Sequence, residues 1–301
     1  MRVLALFGPT AVGKTGVALA VAERLREGGE DPVAVNCDAI QVYRGLSKLS
    51  GAATEEEREQ LEHRLLTFVD PGEESSAGRF AELAHSEIDA LLAEGRRPIV
   101  VGGTGLYLRA ALAELDLKPP VPAGVREAVE REISERGPEA LHAELGPEVT
   151  KGVNPSDRKR IARLTELTRA GIEAHHGAEG MWAAELRHPT LLVGLTMDRG
   201  ELAERIDARV DAMVATGAAE EARAAHEAGA SRTARAALGF ERLLEGHDGP
   251  PPPEAIEAIK AAHRSYARRQ LTWMRRMEGV TLINRTGLDD AAVAAEIVSE
   301  L

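Results

Sequence analysis

The chain has 301 residues, 44% of them hydrophobic, which is enough for one large or two smaller globular domains with a real core. Its 37 basic and 49 acidic side chains give a net charge of −12, which argues against a general attraction to nucleic acid but not against a local basic surface. The single cysteine, Cys37, excludes an intramolecular disulfide and a cysteine-based zinc site. No apolar run approaches the roughly 20 residues of a membrane span, so we expect a cytoplasmic protein with no membrane partner.

The first motif along the chain is Gly-Pro-Thr-Ala-Val-Gly-Lys-Thr, which follows a short apolar run and precedes a pattern with helical spacing. A strand, a Gly-x-x-x-x-Gly-Lys-Thr turn and a helix are typical of a phosphate-binding loop. Lys14 can lie along a diphosphate, and the Thr15 hydroxyl can join the coordination of Mg²⁺. The residues predicted to bind a diphosphate, or a nucleotide such as ATP, are Gly8, Pro9, Thr10, Ala11, Val12, Gly13, Lys14 and Thr15. The motif leaves kinases, nucleotidases and transferases open.

Two further apolar runs, at 33–36 and 98–101, predict parallel strands. The first ends at Asp38, and the second ends at Gly102-Gly103-Thr104. Ligands of open parallel sheets bind at the carboxyl ends of the strands, so Asp38 and Thr104 are expected close to Lys14. Between these runs the pattern predicts a loop at 46–54 and helices at 55–66 and 80–94.

No strand-like run occurs between about 119 and 188, where the sequence is charged and helical in outline. We predict an all-α insertion at 119–188 and an α/β core formed by 1–118 and 189–301. Inside the insertion, residues 157–163 combine one acid with four cations, Arg158, Lys159, Arg160 and Arg163. Such a run is either a solvated helix face or a surface for a polyanion.

The rest of the chain reads as a strand at 190–195, helices at 200–216, 218–228, 235–244 and 254–277, a strand at 280–284 and a closing helix at 289–301. Arg205 and Arg209 share one helix face because they are four residues apart. Residues 264–276 contain five arginines and no acid. In so acidic a chain this strip favours an RNA backbone over a solvated face.

Five motifs in this order resemble the tRNA dimethylallyltransferases, also called tRNA isopentenyltransferases. They are the loop at 8–15, Asp38–Gly45, His63–Leu66, Val101–Tyr107 and Arg268–Trp273. The resemblance runs from about Val3 to Arg276, and the lack of a C-terminal zinc-finger extension resembles the bacterial type. It implies a P-loop NTPase-like α/β fold and transfer of a dimethylallyl group from dimethylallyl diphosphate to N6 of the adenosine 3′ of the anticodon.

The resemblance also implies roles for residues. The catalytic residues would be Asp38 as the base, Thr104, Lys14 and Arg205, with Mg²⁺ held partly by Thr15. The partners would be dimethylallyl diphosphate and the tRNA anticodon stem-loop, gripped by the insertion, and we expect a monomer. The implied tRNA-binding residues are Asp38, Ala39, Ile40, Gln41, Lys159, Arg160, Ile161, Ala162, Arg163, Arg268 and Arg269.

The sequence departs from the family pattern at three places. Ala39 replaces a usual serine, Ser47–Thr54 replaces a segment close to Asp-Ile-Gly-Thr-Ala-Lys-Pro, and Glu241 replaces a usual lysine. Two other functions stay open: a prenyltransferase that modifies free AMP, ADP or ATP, and a P-loop kinase. The insertion and the arginine-rich helix favour tRNA over both.

Overall fold

The structure is a computed structural model that describes residues 1–174, 185–247 and 249–301. It divides into two compact units, one formed by Met1–Glu114 with Glu185–Leu301 and one formed by Leu115–Ala184. The division predicted from the sequence lies at 119 and 188. The chain leaves the first unit and returns to it side by side, because Ala113 and Leu186 form an antiparallel bridge.

The first unit is built on a sheet of six strands in the order β3-β2-β4-β1-β5-β6, and every pairing is parallel. The strands are β1 (Val3–Phe7), β2 (Pro32–Asn36), β3 (His63–Arg64), β4 (Arg97–Gly102), β5 (Thr190–Thr196) and β6 (Val280–Asn284). β1 lies between β4 and β5, with Leu6 opposite Val101 and Val193. All five residues of β1 are buried, as expected for a parallel strand covered on both faces. The predicted parallel α/β fold is confirmed.

Helices surround this sheet. In the first unit they are α1 (Lys14–Glu27), α2 (Ser47–Ser50), α3 (Glu55–Gln60), α4 (Ala77–Ala93) and α5 (Gly105–Leu112), and after the second unit α9 (Arg199–Ala215), α10 (Ala218–Glu227), α11 (Phe240–Leu244), α12 (Pro253–Met274) and α13 (Asp290–Ser299). Val17 and Val21 of α1 are buried in one core cluster with Val293 and Ile297 of α13. Burial of one such side chain contributes roughly 1.5–3 kcal/mol. Within the described ranges, none of the helices combines the length and the apolar character that a membrane span requires.

The segment around α3 differs from the prediction of one helix at 55–66. Thr54 starts the helix with a capping box, but the chain becomes extended at Leu61. His63 and Arg64 then form β3 beside Ala34 and Val35. Pairing with an open sheet edge, which a helical pattern cannot reveal, therefore ends α3 early. The predicted loop at 46–54 likewise contains the short helix α2, and the predicted helix at 235–244 is reduced to Phe240–Leu244.

The second unit contains α6 (Ala123–Arg136), α7 (Pro138–Thr150) and α8 (Arg158–Arg169), with no strand among its described residues. Gly146, at φ 78°, interrupts α7 directly before Pro147. The core of the unit consists of Val129, Ile133, Leu141, Val153, Ile161, Ala162 and Leu164. This unit therefore has a small hydrophobic core of its own, separate from the core around the sheet.

Candidate active site

The phosphate-binding loop, Gly8–Thr15, joins the end of β1 to the first turn of α1. Its backbone takes a positive φ at Ala11 (64°) and at Gly13 (90°), which caps α1. Lys14 Nζ donates to the carbonyl oxygens of Gly8 at 3.1 Å and Pro9 at 3.0 Å. The ammonium group therefore lies over the loop, beside the helix N-terminus that favours an anion.

The ammonium group of Lys14 has a lowered pKa and therefore loses its proton more readily than that of an exposed lysine. Its ammonium group is enclosed by protein, although part of the residue is accessible. Burial and the positive charge of Arg209 lower the pKa of Lys14 to about 8, while the negative charge of Asp38 opposes this shift. A bound diphosphate would favour the ammonium form, since an opposite charge nearby stabilises it.

Asp38 follows β2 and is fixed by a tight turn. Its Oδ1 accepts hydrogen bonds from the N–H groups of Ile40 at 2.9 Å and Gln41 at 3.4 Å. Its Oδ2 accepts a long hydrogen bond from Thr104 Oγ1 at 3.4 Å. The side chain accepts every hydrogen bond that it makes, which suits a group that would take up a proton.

Thr104 stands between Asp38 and a tyrosine of α12. The hydroxyl groups of Thr104 and Tyr266 are 3.3 Å apart. Burial and the charge of Asp38 raise the pKa of Tyr266 to about 12. Tyr266 is therefore a neutral donor at physiological pH, and when it donates to Thr104, Thr104 is left to donate to Asp38.

Gln270 of α12 joins the phosphate-binding loop to the glycine pair after β4. Its Oε1 accepts from Thr10 N–H at 2.8 Å, and its Nε2 donates to the carbonyl of Gly103 at 2.7 Å. The side chain is buried, and a Cβ added at Gly103 would lie only 2.4 Å from its Nε2. Trp273, one turn further along, stacks on Phe7 at 5.7 Å between ring centroids. Through Gln270, the helix that carries the arginine strip therefore contacts both the phosphate-binding loop and the glycine pair.

Of the two arginines on one face of α9, Arg209 is the one linked to this site. Its charge acts on Lys14, and the charge of Asp38 acts on it, while burial lowers its own pKa. Arg205, to which the resemblance assigned a catalytic role, forms an ion pair with Glu201 at 2.9 Å. The helical spacing alone could not distinguish the two residues, and the role of Arg205 stays a prediction.

The turn at Ser50-Gly51 supports both Arg209 and the residues after Asp38. Arg209 Nη2 donates to the carbonyl of Ser50 at 3.0 Å. Gln41 Nε2 donates to the carbonyl of Gly51 at 3.1 Å. Glu221 of α10 holds this segment by accepting from the N–H groups of Lys48 and Leu49. The segment that departs most from the family pattern therefore positions an arginine of the site.

The arginine strip of α12 borders an open cavity of about 380 Å³. Its lining residues are Ser265, Arg268, Arg269, Thr272, Trp273 and Arg276. Arg264 is ion-paired with Asp207, whereas Arg268, Arg269 and Arg276 have no acidic partner in the described part of the chain. These three charges are available to a polyanion.

The basic run at 158–163 is largely neutralised within its own unit. Arg158 pairs with Glu130 at 3.0 Å, Arg160 with Asp157 at 3.5 Å and Arg163 with Glu166 at 3.3 Å. Lys159 is exposed, and none of the ion pairs between described residues includes it. The resemblance also placed Ile161 and Ala162 among the tRNA-binding residues. Both are buried in the core of the unit, so their side chains offer no surface to an RNA.

Sequence reasoning assigned no role to Tyr266 and Gln270, although the second lies inside a quoted motif. A signal exists for Gln270: it is a polar residue at helical spacing from the buried Ala267 and Met274. A buried amide in a helix must find hydrogen-bond partners, which here come from two loops.

Comparisons with known proteins identify the family of this chain. The family model described as IPP transferase matches residues 41–277, and the one described as Isopentenyl transferase matches 1–78. A tRNA dimethylallyltransferase of Anaeromyxobacter dehalogenans is 42% identical over 94% of this chain and 95% of its own, and one of Thermobifida fusca is 40% identical over 91% and 87%. The crystal structure of a tRNA isopentenylpyrophosphate transferase from Bacillus halodurans is 31% identical, with a TM-score of 0.71 over 99% of this chain and 95% of that chain. The chain therefore belongs to the tRNA dimethylallyltransferase family of isopentenyl transferases.

Proposed function

We propose that this chain transfers the dimethylallyl group of dimethylallyl diphosphate to N6 of the adenosine 3′ of the anticodon in tRNA and releases diphosphate. The observation that carries the proposal is the meeting of Asp38, Thr104 and Lys14 at the end of one parallel sheet, in a chain of this family. An acceptor for a proton and a loop for a diphosphate lie side by side there. Because a tRNA is the acceptor, we place the reaction in the cytoplasm, and one chain supplies every residue named.

In this reaction the bond between C1 and the bridging oxygen breaks, and a bond between C1 and N6 forms. The diphosphate leaves with the electron pair, and N6 loses a proton. Asp38 Oδ2 accepts that proton, and a positioned base contributes typically about 10²–10⁴-fold to the rate. Thr104 and Tyr266 keep the carboxylate oriented toward the acceptor amine.

The leaving diphosphate requires stabilisation of the charge that develops on its oxygen. Lys14 and the N–H groups of the phosphate-binding loop supply it, and Arg209 adds a second cation. Thr15, in the first turn of α1, would hold a Mg²⁺ together with oxygen atoms of the diphosphate and of water. Mg²⁺ accepts such a set, and when bound it neutralises diphosphate charge.

The tRNA would bind through unpaired cations. Arg268, Arg269 and Arg276 can contact backbone phosphates from the core, and Lys159 can do so from the helical unit. The target adenine must leave the stack of the anticodon loop before its N6 reaches Asp38, at a cost of about a few kcal/mol. Residues 39–41 directly follow Asp38, and Gln41 donates to the Gly51 carbonyl, so we place that base beside them.

The test incubates the purified protein with labelled dimethylallyl diphosphate and Mg²⁺. One reaction contains an unmodified tRNA, a second contains the same tRNA with guanosine in place of the target adenosine, and a third contains AMP or ATP. We expect label in the first reaction alone, at the adenosine 3′ of the anticodon.

The two open alternatives give other results. Label in AMP or ATP would assign the chain to nucleotide prenylation. Phosphate transfer from γ-labelled ATP, without prenyl transfer, would assign it to the kinases. Label in the guanosine-substituted tRNA would contradict the assigned position.

A further inference from the structure

A buried arginine that the mechanism does not use lies against the phosphate-binding loop. Arg285 follows β6 and is only 4% exposed. Its Nη1 donates to the carbonyl oxygens of Val12 at 3.0 Å and Gly13 at 3.3 Å. Its Nη2 donates to the carbonyl of Leu288 and lies 2.9 Å from Asp290 Oδ1. One ion-paired guanidinium therefore contacts two peptide groups of the loop, and the Gly13 carbonyl also accepts the first hydrogen bond of α1, from the N–H of Val17 at 3.2 Å.

These bonds also determine the direction of the N–H group on the opposite side of each peptide unit. The peptide unit that contains the Val12 carbonyl also contains the N–H of Gly13, and the unit with the Gly13 carbonyl contains the N–H of Lys14. In a planar trans peptide the C=O and N–H point in opposite directions, and neither of these two units is cis. With the Val12 carbonyl directed to Arg285 and the Gly13 carbonyl shared between Arg285 and Val17, the N–H groups of Gly13 and Lys14 face the opposite side of the loop, where we place the diphosphate.

The fit leaves no room for a side chain between the loop and the ion pair. A Cβ added at Gly13 would lie 2.2 Å from Arg285 Nη1, and one added at Gly16 would lie 2.1 Å from Asp290 Oδ2. The first turn of α1 therefore rests directly on Arg285 and Asp290.

We propose that Arg285, held by Asp290, is a positioning residue for diphosphate binding. It touches no substrate and acts by fixing the peptide units whose N–H groups bind the diphosphate. The inference rests on the proposed function in taking a diphosphate as the ligand of the loop.

The experiment compares Arg285→Lys with a matched control, Arg97→Lys. Arg97 is also buried, ion-paired (with Glu30) and bonded to a backbone carbonyl, but it begins β4 at the other end of that strand from Gly102. The dissociation constant of inorganic diphosphate with Mg²⁺ is measured by calorimetry, together with KM and kcat for prenyl transfer, the affinity for tRNA and Tm. Lysine keeps the charge but loses the two-pronged geometry.

For Arg285→Lys we expect the diphosphate dissociation constant and the KM for dimethylallyl diphosphate to rise about tenfold. We expect kcat to stay within about twofold and tRNA affinity to be unchanged. For Arg97→Lys, a lower Tm with unchanged diphosphate affinity is the expected result. If Arg285→Lys does not fold, Asp290→Asn, which removes the partner charge with little change of shape, is expected to raise the diphosphate dissociation constant about threefold.

Unchanged diphosphate affinity in these variants would overturn the inference. A fall in Tm and kcat at constant KM would do so as well, because it marks a general structural role. If the unchanged protein itself fails to bind inorganic diphosphate, the ligand assigned to the loop is wrong and the inference falls with it. A loss confined to the Arg285 and Asp290 variants would support it.

Discussion

At the scale of single residues, Asp38 does two things that an aspartate at the end of a strand can do: it caps a turn, and it contributes a carboxylate oxygen to the candidate site. One carboxylate oxygen caps the turn at Ile40 and Gln41, and the other faces Thr104. Because the turn fixes the position of Oδ1, it also fixes the position of Oδ2. A carboxylate fixed in this way loses little freedom when its substrate arrives, which is an advantage for a base.

Asp38→Asn should therefore separate chemistry from binding. The amide oxygen can still cap the turn, but the side chain no longer accepts a proton at neutral pH, so the single-turnover rate should fall about 10²–10⁴-fold. The affinity for tRNA should stay close to that of the unchanged protein. Asp70→Asn is the control, because exposed Asp70 makes the same kind of turn with Gly72. A near-normal single-turnover rate in Asp38→Asn would remove this residue from the mechanism.

The lowered pKa of Lys14 predicts the direction in which activity changes with pH. Burial and Arg209 lower its pKa to about 8, so its charge is present below that pH and is lost above it. Since the diphosphate needs the ammonium form, kcat/KM for dimethylallyl diphosphate should fall as the pH rises through about 8. Arg209→Gln removes a repelling charge and should move this fall to higher pH.

The matched control for this profile is Arg205→Gln, because Arg205 is not among the groups that act on Lys14. It should leave the pH of the fall unchanged. A profile that shifts with Arg205 instead would return the catalytic role to that residue, as the resemblance first implied.

At the scale of elements, residues 45–51, which precede α3, affect the position of Arg209 through their backbone conformation. Gly51 has φ 59°, and a Cβ there would lie 1.8 Å from Arg209 Nη2. Gly45 has φ 70° and open space around it. The two glycines carry a similar conformational constraint, and only one of them touches an arginine of the site.

Replacing each glycine by alanine tests this difference. Both variants should lose about 1–2 kcal/mol of unfolding free energy, because alanine is strained in the left-handed region. Only Gly51→Ala should also lose activity, by about 10–100-fold in kcat/KM, since it displaces Arg209. Chemical denaturation and steady-state kinetics give the two quantities. Equal activity in the two variants would show that the position of Arg209 does not matter.

The helix α12 joins the arginine strip to the phosphate-binding loop through Gln270 and to Thr104 through Tyr266. Replacing Arg268, Arg269 and Arg276 by alanine should weaken tRNA binding and reduce the slope of log K against log salt by about one for each phosphate that is no longer neutralised. Arg264→Ala on the same helix should leave the slope unchanged, because Arg264 is paired with Asp207. Identical slopes in both variants would mean that the strip is a solvated face.

Much of the fold could be predicted because its signals are local. A glycine-rich loop between a strand and a helix identifies the sheet, and buried strand runs locate its members. What could not be predicted depends on partners distant in sequence. Arg158 meets Glu130, β3 pairs with an open edge, and Arg285 reaches the loop at Val12. No spacing rule brings such pairs together, which is also why Arg205 and Arg209 could not be separated.

At the scale of the whole molecule, a net charge of −12 coexists with a strip of five arginines at 264–276. The charges are unevenly distributed: acids neutralise arginines such as Arg158 and Arg264, whereas Arg268, Arg269 and Arg276 have no acidic partner among the described residues. Binding of an anion should therefore be local and should stabilise the folded state.

Thermal unfolding checks this expectation. Inorganic diphosphate with Mg²⁺, at about 100 times its dissociation constant, should add about 2.7 kcal/mol to the free energy of unfolding. For a unit of this size that corresponds to a rise in Tm of about 5–10 °C. Lys14→Met should abolish the rise. An unchanged Tm in the original protein would contradict a diphosphate site in the folded core.

The hydrogen bonds from Arg285 to Val12 and Gly13 also bear on the order in which the protein is made. The loop leaves the ribosome before the arginine that holds it, which is synthesised more than 270 residues later. β1 also pairs with β5, and β5 is synthesised only after the entire helical unit. A nascent chain folds from its N-terminal side as it emerges. During translation the loop is therefore made well before its support, and its hydrogen bonds to Arg285 can form only after that residue has been synthesised.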